Sequence, residues 1–189
     1  MRLGIFGGTF NPIHLGHLML AEAARQQYRL DQIWFIPTAT PPHKPAANLL
    51  EGRHRLALIR LAIRGNSAFR ASEMELARGG VSYTVETIAA IRRQHPRSRL
   101  FLLVGSDMLR VRWRHMEQVR RWCALLVAAR SSSPVRHAVG AQHIEMPEVA
   151  ISSTRIRKRL AKGQSVRYMV PEAVFRYLTQ HRCYRREVT

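Results

Sequence analysis

His14 and His17 stand three residues apart in "GIFGGTFNPIHLGHLML", Gly4–Leu20, just after the pair Gly7-Gly8. Imidazoles at that spacing share one face of a first helical turn. They could donate hydrogen bonds to phosphate oxygens or ligate a metal. The metal alternative is the weaker one. Two neutral imidazoles need further ligands, and no His-Glu-x-x-His pattern or cysteine cluster supplies them. The glycines let backbone approach a ligand without an intervening Cβ. A helix beginning near His14 adds free N–H groups and the positive end of its dipole. Together these form a phosphate site. The bland alternative is a Gly-rich turn ahead of a packed helix. Neither the dinucleotide fingerprint Gly-x-Gly-x-x-Gly nor the P-loop pattern is present.

A second set of phosphate-type groups lies far along the chain, in "ISSTRIRKRL", Ile151–Leu160. It is a Ser/Thr-capped helix start with Arg157 on its first turns. Hydroxyls, free N–H groups and a guanidinium at one end suit phosphate oxygens. Taken alone it reads more readily as a capped, basic surface helix. His43 and Lys44 sit in a Pro-rich stretch that could be solvated surface. Asp107 is harder to dismiss, because the chain has only two aspartates, Asp31 and Asp107. It follows the apolar run "RLFLLV", at the strand end where α/β proteins bind ligands.

The elements that must position these groups alternate. Strands are expected at Arg2–Phe6, Gln32–Pro37, Phe69–Leu76, Arg99–Val104, Ala124–Ala129 and residues 141–151. Helices are expected from Leu15 to about Arg29, over Leu50–Arg64, within "RGGVSYTVETIAAIRRQ" where a Gly loop enters a helix, and over Ser152–Leu160 and Pro171–His181. Arg130–Gly140 reads as a loop. Such alternation predicts a Rossmann-like, doubly wound α/β fold: a parallel sheet with helices on both faces. Crossovers are then right-handed and ligands lie beyond the strands' carboxyl ends. A single domain over residues 1–189 is expected, with a small helical C-terminal part from about residue 152.

The totals narrow the class. With 189 residues and 46% apolar side chains, the chain can bury a full core. No apolar run reaches the roughly 18 residues of a membrane span, and no signal peptide is read at the start. Two cysteines cannot build a disulfide framework, so a reduced cytoplasm is expected. The net charge of +19 comes from 28 Arg and three Lys against 12 acidic residues. A cationic surface concentrates anions. Charge alone does not choose between phosphorylated metabolites, nucleic acid and acidic lipid.

"GGTFNPIHLGH" resembles the first signature of the HxGH nucleotidyltransferase superfamily, and "ISSTRIR" its triphosphate-holding element. Arg155 fills that element's variable position, so the carried-over residue is Arg157. Further stretches, "PPHK" (Pro41–Lys44), "GVSYTVET" (Gly80–Thr87), "GSD" (Gly105–Asp107) and the following Trp113, resemble the bacterial nicotinate-nucleotide adenylyltransferase family over essentially the whole chain. One departure is that Trp113 stands closer to Asp107 than in the family pattern, so the loop between them is shorter.

The resemblance implies transfer of the adenylyl group of ATP to nicotinate mononucleotide, giving nicotinate adenine dinucleotide and pyrophosphate. It implies His14, His17, Lys44 and Arg157 in catalysis. ATP would be bound by Gly7, Gly8, Thr9, Phe10, His14, His17, Gly105, Ile151, Ser152, Ser153, Thr154 and Arg157. The mononucleotide would be bound by His43, Lys44, Tyr83, Thr84, Asp107, Trp113, Arg114 and Arg130. Asp107 would bond a ribose hydroxyl or, through water, magnesium. Mg²⁺ would arrive with ATP, with no protein metal site, and neither nucleic acid nor membrane is an expected partner. Two alternatives stay open: a superfamily member using nicotinamide mononucleotide or phosphopantetheine, and a basic RNA-binding module. The latter lacks interleaved aromatic and basic residues.

Overall fold

The computed structural model describes residues 1–41, 49–106, 108, 113–128 and 140–184. Six strands form one parallel sheet: β1 (Arg2–Gly8), β2 (Gln32–Pro37), β3 (Phe69–Ala71), β4 (Arg99–Gly105), β5 (Cys123–Ala128) and β6 (Ala141–Ile144). Their order across the sheet is β3-β2-β1-β4-β5-β6. This is the Rossmann-like, doubly wound order, and it reverses between β1 and β4. Leu3 pairs with Gln32 on one side of β1 and with Leu100 on the other.

Alternation along the strands builds two core layers. Leu3, Ile5, Ile36, Leu100, Leu102, Val104, Leu125 and Val127 face one side. Helices α4 (Thr84–Gln94) and α5 (Met116–Trp122) cover that side with Val85, Ile88, Ile91 and Val119. Phe6, Ile33, Phe35, Phe101, Leu103 and Leu126 face the other. That side carries α1 (Leu15–Gln27), α2 (Gly52–Ala62), α6 (Ser153–Ala161) and α7 (Glu172–Gln180). Gly4 sits where β1 runs closest to its neighbours. A Cβ there would stand 2.9 Å from Ile33 Cγ1 and 3.0 Å from Leu30 Cδ1.

Two expectations are corrected, and one helix was not expected at all. The extended segment stops at Ala71, and residues Met74–Arg78 form a short helix, α3, ended by Gly79 at φ +68°. Met, Glu, Leu, Ala and Arg are good helix formers, and that composition prevails. The last strand stops at Ile144 instead of running to residue 151, because Pro147 cannot continue a ladder. Helix α5 is the unexpected one: Met116, Val119 and Trp122 recur at a three-residue spacing and pack on one core layer, but seven residues are too short a window for the helical period to be read. Among the described residues no helix is long and apolar enough to cross a membrane.

Candidate active site

The carboxyl ends of β1 and β4 meet at the point where the strand order reverses. Continuing the β1–β4 register brings Gly8 level with Gly105. Between β1 and α1 runs the corner Thr9–His14. Phe10 adopts a left-handed φ of +44°, a conformation that costs a non-glycine residue energy and clusters at functional sites. Its ring lies in the core against Phe6 and Phe35. Any ligand contact at Phe10 therefore falls to its backbone.

His14 is the N-cap of α1 and is buried, at 1% exposure, while His17 is partly open. Their rings stack at 3.7 Å between centroids. Phe6 and Phe10 hold the His17 ring edge-on from the other side, at 5.9 and 5.1 Å. The backbone N–H of His14 donates to His17 Nδ1 at 3.2 Å. A backbone amide can only donate, so Nδ1 must accept and the His17 proton sits on Nε2. The corner thus presents a fixed, neutral N–H donor. Gly16 makes the ring stack possible: a Cβ there would come 3.1 Å from His14 Nδ1 and 3.2 Å from its Cε1. Gly16 lay within the "HLGH" motif but no chemistry pointed to it.

The two sequence signatures, some 140 residues apart, meet here. Ser153 Oγ donates to the Pro12 carbonyl at 2.8 Å, and Arg157 Nη1 donates to the Asn11 carbonyl at 2.9 Å. Arg157 Nη2 also reaches Thr154 Oγ1 at 3.4 Å. Ser152 Oγ caps α6, accepting the Arg155 N–H at 3.2 Å. The hydroxyls of Ser152 and Ser153 are therefore used to shape the helix start and dock it on the corner. That leaves the first-turn N–H groups of α6 as the donors at its open end. Arg155 is exposed, and Ile151 is half-buried against the core.

Asn11 joins further parts. Its Oδ1 accepts from the Leu50 N–H at 3.0 Å and from the Tyr184 hydroxyl. Burial pushes the Tyr184 phenol's pKa well up, which keeps it a protonated donor. Neither residue was singled out from the sequence, because a hydrogen bond across 173 positions leaves no local pattern.

The other expected half of the site gathers on the opposite layer. Tyr83 is the N-cap of α4 and Thr84 opens that helix, so its first N–H groups face outward. The Arg114 guanidinium lies over the Tyr83 ring at 4.7 Å. Trp113 and Tyr83 pack against the same core layer, and Trp113 Nε1 donates to the Met108 carbonyl at 2.8 Å. The sequence expectations at His43, Lys44, Asp107 and Arg130 lie outside the described residues. Among the described residues no group of three or more His, Cys, Asp or Glu side chains gathers as for a metal ion.

The family model described as cytidylyltransferase-like matches residues 5–159. A Salinibacter ruber protein named a probable nicotinate-nucleotide adenylyltransferase is 41% identical over 192 residues, covering 98% of each chain. A Thermus thermophilus protein of the same name is 42% identical over 188 residues, covering 98% of this chain and all of its own. Among solved structures, Plasmodium falciparum nicotinic acid mononucleotide adenylyltransferase complexed with NaAD superposes with a TM-score of 0.82. That superposition covers 97% of both chains at 19% identity, so the fold is what it shares.

Proposed function

We propose, from the premise that the chain belongs to the nicotinate-nucleotide adenylyltransferase family within the cytidylyltransferase-like proteins, how its own residues carry out the transfer. The enzyme moves the adenylyl group of ATP to nicotinate mononucleotide in NAD biosynthesis. A phosphate oxygen of the mononucleotide attacks the α-phosphorus. The bond to the bridging oxygen breaks, and pyrophosphate leaves with the electron pair. The nucleophile is already ionised at neutral pH, so no general base is needed. The task is to bring two anions together and to stabilise charge at the phosphates in transit.

In this reading the Nε2–H of His17 meets the phosphates at the corner. His14, buried beneath it, fixes the ring's plane. The Thr9 N–H and those of the first turn of α6 donate to phosphate oxygens, and Gly7 and Gly8, without side chains, let the phosphates approach the strand end. Gly105 lies at the neighbouring strand end. Arg157 offsets charge at the triphosphate, and Lys44 does so at the incoming mononucleotide with His43. The N–H groups at Thr84 receive the nicotinate carboxylate. Tyr83 and Trp113 flank the ring, and the Arg114 guanidinium adds positive charge beside them. Asp107 and Arg130 are assigned to the mononucleotide by the sequence alone. Magnesium, arriving with ATP, would offset the charge of the nucleotide's phosphates. The whole chain is taken as one nucleotidyltransferase unit, and its free, buried Cys123 and Cys183 suit a reducing cytoplasm.

The observation that carries this reading is the docking of α6 on the corner through Ser153–Pro12 and Arg157–Asn11. It brings the His17 donor and the Arg157 cation to one place. The deciding experiment is pyrophosphate release from ATP and magnesium with nicotinate mononucleotide and nicotinamide mononucleotide side by side. The amide's NH₂ would face N–H donors without an acceptor, and each unpaired group costs about 1–3 kcal/mol. A preference for the acid of at least about tenfold is expected. Equal rates, or release with phosphopantetheine instead, would assign a different acceptor.

A further inference from the structure

Among the described residues Arg55 is the largest fully buried side chain, at 1% exposure, and there its hydrogen bonds go to carbonyl oxygens and not to a carboxylate. Its Nε donates to Leu50 O at 2.7 Å. Its Nη1 donates to Thr9 O at 2.9 Å and to Thr38 O at 2.7 Å, and Nη2 reaches Ala39 O at 3.5 Å. One planar fork therefore holds three stretches of backbone: the corner after β1, the exit of β2, and the residue two places before α2. The guanidinium suits this because its five N–H donors are fixed in one plane, whereas an ammonium is a point donor on a flexible stem.

The stretches it holds lead to both halves of the site. Thr9 belongs to the phosphate corner. Thr38 donates its N–H to Gly8 O at 2.9 Å, so the β2 exit is stitched to that corner a second time. From there the link runs to the other substrate. Ala39 N–H donates to Ser82 Oγ at 3.2 Å. Ser82 N–H donates to Thr40 O at 3.0 Å, and Thr40 bridges to Val81. The next residues are Tyr83 and Thr84. Beside Ser82 lies Glu75, buried to 5% exposure, which accepts from Thr87 Oγ1 at 2.6 Å and whose carboxyl pKa is raised by burial. A buried cation held by this many backbone groups is a costly way to fill a core, since an apolar side chain would pack there without desolvating a charge.

We propose that Arg55 is a positioning residue for adenylyl transfer, setting the distance between the phosphate corner at Gly8–Thr9 and the mononucleotide segment at Ser82–Thr84. The inference rests on the functional reading above. Arg55 touches neither substrate in this account. It acts by spacing the two backbones that do, and small misplacement of bound reactants can slow a reaction about a hundredfold.

The test is R55K, which keeps the charge and loses the fork. Turnover is measured as pyrophosphate release with both substrates saturating. The affinity for each substrate alone is measured by calorimetry, with nicotinate mononucleotide and with a non-hydrolysable ATP analogue. Turnover is expected to fall at least about tenfold, with each separate Kd within about threefold of the parent and a cooperative thermal melt. A purely structural role would lower Tm and leave turnover of the folded enzyme unchanged; that result overturns the inference. So does a loss confined to one substrate's Kd. If R55K does not fold, S82A decides, since it cuts the Ala39–Ser82 link while leaving Arg55 in place. The same split supports the inference, and parental turnover overturns it. Absent turnover of the parent with nicotinate mononucleotide overturns the functional reading and this inference together. An active parent beside an unimpaired R55K overturns the inference alone.

Discussion

The neutral Nε2–H of His17 is fixed by a backbone amide and by three surrounding rings. A donor held in this way needs no reorganisation as charge develops, which is where such groups contribute most. His17→Ala should therefore lower turnover by roughly 10²–10³ while leaving the fold intact. A folded variant with near-parental turnover in the pyrophosphate assay would remove His17 from the mechanism. Gly16→Ala separates support from chemistry. Alanine raises helix propensity by roughly 0.5–1 kcal/mol relative to glycine, but its Cβ would press on the buried His14 ring. Turnover should fall at least about tenfold, because His17 loses its stacking partner's position. Full activity with raised Tm would mean that the His14 ring yields at no expense to His17.

At the scale of elements, α6 delivers Arg157 to the corner and leaves Arg155 exposed. Arg157→Ala should weaken ATP binding or turnover by about 1.5–3 kcal/mol, the scale of a hydrogen bond to a charged group. Arg155→Ala should do much less. Equal losses in ATP-dependent turnover would show that the wrong face of α6 had been assigned. On the opposite layer, Trp113 is tied by its indole N–H to Met108 and packs on the same layer as Tyr83. Removing its face with Trp113→Ala should raise KM for the mononucleotide several-fold and change KM for ATP little, since aromatic stacking contributes about 0.5–1.5 kcal/mol. The reverse pattern would mean that the shorter loop before Trp113 has carried it out of the pocket.

For the whole molecule, a net charge of +19 meets two anionic substrates. Long-range attraction steers their encounter, and salt screens it over about 8–10 Å at physiological ionic strength. Added salt should lower kcat/KM for ATP and for nicotinate mononucleotide alike. A flat response from low to physiological ionic strength would assign the charge to surface composition without a part in capture. Arg155 and Lys158 stand exposed on α6, the helix that docks on the corner through Ser153 and Arg157.

Local order was legible in the sequence because it depends on near neighbours. The strands β1, β2, β4 and β5, the glycine corner and the capped start of α6 each announced themselves through a short run of apolar, glycine or hydroxyl residues. The parallel, doubly wound sheet followed from their alternation, as the order β3-β2-β1-β4-β5-β6 bears out. Helix α5 was hidden because its apolar residues Met116, Val119 and Trp122 span only seven positions, too short a window for the helical period to be read. What only the tertiary structure decided is which distant groups meet. The closing hydrogen bond from Tyr184 reaches the Asn11 side chain across 173 positions, while the tautomer of His17, the docking of Arg157 on Asn11 and the three-way hold of Arg55 join side chains to backbone groups. Every residue offers the same amide and carbonyl whatever its side chain, so such partners leave no mark in the sequence and are fixed only when the chain has folded.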